Sequence, residues 1–82
     1  MTDAFCLSLQ PVQIETDGTD EEGSLVFARG KLVAVLVRLS AQHGQFAGRW
    51  FLEHGFGRLD RPSHPVFEHL DEAQAWIAAR LG

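Results

Sequence analysis

SLVFARGKLVAVLVRL, residues 24–39, is the most apolar run in the chain, rich in β-branched side chains and interrupted once, at Arg29-Gly30. Two strand-like arms around a two-residue break read as a β-hairpin. Gly30 supplies the positive φ that such a turn demands, while arginine beside it is a weaker choice than Asn or Asp and leaves room for a slightly longer loop. The second arm, Lys31 to Leu39, is apolar at its odd positions (Val33, Val35, Val37, Leu39) and also at its even ones until Arg38. A strand apolar on both sides is covered on both sides. That makes it the centre of a sheet.

The rest of the chain is arranged around this centre. Upstream, Phe5, Leu7 and Leu9 alternate with polar neighbours, and after Pro11 the apolar positions change parity to Val12 and Ile14. Proline cannot donate to a ladder, so residues 4–15 form either one strand bent at Pro11 or two short ones. TDGTDEEG (16–23) is a polar connection. It lacks the ligand register and distal glutamate of an EF-hand, so its acids read as a solvated loop.

Downstream, SAQHGQ (40–45) is turn-rich, and Phe46 to His54 reads as the next strand. Its periodicity puts Phe46, Trp50 and Leu52 on one face and Phe51, flanked by Arg49 and Glu53, on the other. Gly55 to Pro65 holds two glycines and two prolines and reads as a long loop. Asp71 to Leu81 (DEAQAWIAARL) is the one clear helix. Asp71 is its expected N-cap, with Gln74 in the capping-box position. Leu70, Ala73, Trp76, Ile77 and Leu81 form its apolar stripe. The predicted fold is therefore α+β: three to four antiparallel strands with one C-terminal helix packed on one face, in a single domain spanning residues 1–82.

Composition narrows the function classes. With 45% hydrophobic and 22% charged residues the chain is of ordinary globular make-up. Net charge is −4, and four of the eleven acids (Asp17, Asp20, Glu21, Glu22) fall in one loop. No basic stripe suggests nucleic acid. No apolar run approaches the ~20 residues of a membrane helix, and no secretory leader is expected at the N-terminus. The single cysteine, Cys6, lies in an apolar strand pattern and cannot form an internal disulfide, which fits the cytoplasm and an inert thiol. No cofactor is expected.

Candidate chemistry is sparse. His43, His54, His64 and His69 match no metal-ligand spacing, although His54, His64 and His69 border one loop and could converge there with Asp60 or Glu68. Gly55, Gly57, Arg58 and Arg61 could form an anion-binding loop from glycine amides and guanidinium groups. No serine stands in a nucleophile-elbow context, and no catalytic residue is nominated. An enzyme is not expected.

One helix can cover one face of so small a sheet. The second face then needs the N-terminal segment or another copy of the chain, since a contiguous exposed apolar patch is unusual on a small monomer. A two-fold homodimer is the simplest assembly. Leu32, Leu36 and Phe51 are the expected second-face residues, with Val35 and Val37 beneath the helix. The leading expectation is thus a non-enzymatic interaction module that self-associates through its sheet, and the alternative is a small-molecule or anion binder using the 55–61 loop.

LVFARGKLVAVLVRLS, GRWFLEHGFG and LDEAQAWIAARL together resemble small hypothetical bacterial proteins of unknown function. Those proteins place a short antiparallel sheet before a C-terminal helix with a Glu-Ala-x-x-Trp-Ile core, matched here by Glu72, Ala73, Trp76 and Ile77. The resemblance implies the same α+β fold and transfers no functional residue.

Overall fold

The computed structural model describes residues 7–15, 18–61 and 64–82. The expectations for residues 4–6, including Phe5 and Cys6, and for Asp17 and Ser63 lie outside the described residues. Among these residues five strands, β1 (Leu7–Gln13), β2 (Glu22–Ala28), β3 (Lys31–Arg38), β4 (Trp50–Gly55) and β5 (Val66–Phe67), precede one helix, α1 (Leu70–Leu81). The strands form a single antiparallel meander in chain order. The architecture is α+β, with five strands in place of three or four. The additional strand, β5, is two residues long, too short to register as alternation.

The hairpin forms as its sequence dictates. Ala28 and Lys31 pair directly, and both intervening residues have positive φ, Arg29 at 54° and Gly30 at 81°. Two left-handed residues match the turn to the right-handed twist of its strands. β1 runs unbroken through Pro11, which sits opposite Ser24. Just past the strand Ile14 donates its amide to the Glu21 carbonyl at 2.7 Å. Amides alternate along a strand, so those of Gln10 and Val12 face β2 while the Pro11 nitrogen faces the outer edge, where no partner is lost. The parity change at Pro11 is thus a change of face: Leu7 and Leu9 pack toward the core, and Val12 and Ile14 point the other way.

The core lies between α1 and one face of the sheet. Val26, Ala34, Leu36 and Leu52 from the strands meet Phe67, Ala73, Ile77 and the buried Leu59 of a short 3₁₀ turn (Gly57–Leu59). Trp76 packs edge-on to Phe67, with ring centroids 5.7 Å apart, and the Arg80 guanidinium lies 3.7 Å above the Trp76 ring. One polar group interrupts this core: Ser24 is buried and its hydroxyl has no hydrogen-bond partner among the described residues.

Two bulges decide which residues reach the core. Val26 pairs with Ala34 but Phe27 pairs with Leu32, which leaves Val33 as the extra residue in β3. Val35 pairs with His54 and Leu36 with Leu52, which leaves Glu53 extra in β4. Each bulge shifts the side-chain alternation by one residue. As a result Leu32 and Leu36, both even-numbered, lie on opposite faces. Leu36 is fully buried under the helix, against the expectation that it lines the second face. Val35 and Val37, expected beneath the helix, instead share the other face with their partners Leu25, Gly23 and Phe51.

Local details also depart from the sequence reading. Ala41–Phe46 folds as two 3₁₀ turns broken at Gly44, so β4 starts at Trp50 and Phe46 is exposed. α1 begins one residue earlier than expected, with His69 as N-cap. The capping carboxylate is Glu72, which accepts from the amides of Glu68 (2.9 Å) and His69 (3.3 Å), rather than an Asp71 cap with Gln74.

Two substitutions test this geometry by chemical denaturation. Arg29→Asn should stabilise the fold by about 0.5–1 kcal/mol, because asparagine tolerates the left-handed turn that arginine resists. Gly55→Ala should destabilise it by about 2 kcal/mol or more, since the new methyl group would fall on the Leu59 carbonyl and displace a buried turn.

Candidate functional site

Face and ends of the sheet position every candidate group. On the face opposite α1, the register aligns Val12, Leu25, Phe27, Leu32, Val35, Val37, Phe51 and Val66. Val37 is buried, the middle residues are half-buried, and Leu32 and Val66 retain 36% and 40% of their surface. Partial cover comes from two side chains. Ile14 folds across Gly23, a position where a Cβ would collide with it and also meet the Leu36 carbonyl at 2.9 Å. His64 stacks on Phe51, with centroids 5.8 Å apart and planes 22° from parallel, while its Nδ1 donates to the Leu52 carbonyl at 2.9 Å. No second helix covers this face among the described residues.

At the end of this face away from the hairpin turn lies an open cleft of about 630 Å³. Ile14, Val37, Leu39 and Phe51 form its apolar floor, and Glu15 and Glu53 stand on its rim. One wall is the segment that follows β1, latched to the connection after β3. The Asp20 carboxylate accepts the Ser40 amide at 2.7 Å and lies 2.7 Å from His43 Nε2, and the Thr19 and Ser40 hydroxyls are 2.6 Å apart. The Ser40 amide, followed by the His43 ring and the Ser40 hydroxyl, holds the Asp20 carboxyl below the ordinary aspartate range. Hydrogen bonds to the charged form favour it, as expected for a carboxylate acting as a local staple.

The hairpin end carries the opposite charge. A cleft of about 530 Å³ there places Arg29, Lys31 and Arg58 around Leu32, Phe56 and Leu81. Arg58 Nη1 donates to the Leu81 carbonyl at 3.4 Å, at the carboxyl end of α1 where a cation is favoured.

The 55–61 loop does not present its glycines as a cradle. Gly55 is the buried last residue of β4 and Gly57, with φ of 59°, opens the 3₁₀ turn. The amides of Phe56, Leu59, Asp60 and Arg61 are all spent on internal carbonyls, and Arg61 is exposed. The histidines are likewise dispersed in their roles. His43 meets Asp20, His54 packs edge-on to Phe56, His64 covers Phe51, and His69 caps α1. Among the described residues no three His, Cys, Asp or Glu side chains converge as metal ligands. Among the described residues no helix is long and apolar enough to cross a membrane.

The Asp20 latch escaped the sequence reading, which saw only a charge run; its partners lie 20 and 23 residues away, and no local spacing announces them. Comparison with known families, with curated proteins and with solved structures finds no match for this chain.

The latch has a testable pH signature. A carboxyl whose folded value is depressed adds stability above its unfolded value, and loses it as pH falls through the folded one. The Ser40 amide resonance should therefore titrate with a midpoint below that of an unhindered aspartate, and Asp20→Ala should abolish this step.

Proposed function

We propose that the chain is a small interaction module that self-associates through the face of its sheet opposite α1, and binds rather than catalyses. The observation that carries this reading is the apolar row on that face. Leu32 and Val66 are exposed, and Leu25, Phe27, Val35 and Phe51 are only half-buried. Burial of apolar surface is worth roughly 25 cal/mol per Å², so a row of this kind has a large incentive to find a cover. Isologous pairing is the simplest cover, because the same patch serves both copies. The molecule measures 42 × 22 × 22 Å, so one broad face spans at most about 900 Å², similar to the ~800 Å² contributed by each partner of a standard interface. A lone cysteine, Cys6, with no second thiol to pair within the chain, supports a reducing compartment such as the cytoplasm.

The anion-binding alternative keeps two exposed guanidinium groups, Arg58 and Arg61, but has few backbone amides left to offer an anion. It is the weaker reading.

Light scattering at micromolar concentration should give twice the 9.1 kDa chain mass. Leu32→Glu should bring the mass to that of a single chain while the circular dichroism stays native, because Leu32 lies outside the core. A wild-type mass of one chain across the accessible concentration range would sink the proposal. If inorganic phosphate or sulfate raises the melting temperature and Arg58→Ala with Arg61→Ala removes that rise, the anion reading gains instead.

A further inference from the structure

We propose that the cleft at the hairpin end is a binding site for a small amphipathic carboxylate, a charged head on an apolar chain. The site is separate from the face proposed above for self-association and does not depend on it.

Local departures from regular structure build the cleft. The left-handed turn at Arg29-Gly30 sets Arg29 and Lys31 at the tip of the sheet. The β3 bulge inserts Val33, whose carbonyl accepts the Phe56 amide at 2.9 Å. Gly57, with φ of 59°, then opens the 3₁₀ turn from which Arg58 reaches the carboxyl end of α1. Phe56 packs edge-on to His54 with ring centroids 4.5 Å apart, and 41% of its surface stays exposed. The cleft of about 530 Å³ falls within the roughly 300–1,000 Å³ of small-molecule sites.

Its charge points to the class of ligand. The chain has 7 basic and 11 acidic residues, yet Arg29, Lys31 and Arg58 all line this cleft, and among the described residues no acid does. Other cations are answered locally: Arg38 meets Glu22, Arg49 meets Glu68, and Arg80 lies over Trp76. Lys31 has no ion pair among the described residues. Arg58 offsets the partial negative charge of the helix end, so the hairpin cations leave the cleft positive.

The floor selects for an apolar body. Leu32 and Phe56 are exposed beside Val33, and the apolar stems of the basic side chains extend the same surface. The head group follows from the donors present. The amides of Phe56, Leu59, Asp60 and Arg61 are spent on internal carbonyls, so an anion here relies chiefly on side chains. A guanidinium fork and an ammonium suit the two oxygens of a carboxylate. Phosphate sites, by contrast, draw on nests of backbone amides.

The test titrates octanoate into the intact chain and follows the backbone amide resonances. Saturable shifts should centre on Lys31, Val33 and Gly57. Affinity should rise several-fold from butanoate to hexanoate and again to octanoate, because burying methylene groups is favourable. Octylammonium should leave these resonances unmoved. Lys31→Gln with Arg58→Gln should weaken octanoate binding by about tenfold or more, with circular dichroism confirming the fold. Shifts centred instead on Ile14, Val37 and Phe51, or inorganic phosphate binding as tightly as octanoate, would each overturn the proposal. So would a paired variant that keeps wild-type affinity, or an equal loss from Arg61→Gln, which would move binding to the 55–61 loop. The wild-type mapping and the chain-length series decide the matter even where the paired variant fails to fold.

Discussion

A twelve-residue helix can shield one side of a five-stranded sheet and no more, and most of this structure follows from that limit. α1 reaches about 18 Å along its axis and roughly 10 Å across. It seals Val26, Ala34, Leu36 and Leu52 beneath Ala73 and Ile77. Everything apolar on the reverse side must be managed by other means. The chain uses three partial ones: Ile14 folded over Gly23, His64 laid on Phe51, and the Asp20 latch holding the segment after β1 against the connection after β3. None reaches the hairpin end, where Leu32 stays exposed.

The hairpin was legible because its signals are local. A two-residue break, a glycine that accepts positive φ and β-branched arms all lie within sixteen residues. The C-terminal helix was legible for the same reason, through its 3.6-residue stripe. Its start was misplaced because His69 is a less familiar cap than Asp71, and the informative residue was Glu72, reaching back to two amides. The assignment of faces was not legible. A bulge inserts one residue without altering composition, so the even spacing of Leu32 and Leu36 gave no hint that Val33 separates them onto opposite sides.

The candidate site divides in the same way. Phe51, flanked by Arg49 and Glu53, was recognisable as an apolar residue on a mixed face, because alternation alone places it there. The charge segregation between the two ends was hidden, since it depends on where the strands turn: Glu15 and Glu53 are 38 positions apart in the chain and line one cleft. The glycines of the 55–61 loop illustrate the converse. Their spacing suggested an anion cradle, but Gly55 is there because the Leu59 carbonyl leaves no space for a side chain.

Pro11 has a consequence beyond the strand that contains it. A sheet with free edges can grow by adding strands from other molecules, and such growth has no natural end. Here one margin is β1, whose outer side is missing a hydrogen-bond donor at its middle, and the other is β5, only two residues long. Neither is a good template for lateral addition. Polymerisation into ribbons is thereby discouraged at both margins, and the pairing proposed for the broad face would close on itself after one partner, where growth along an edge would not.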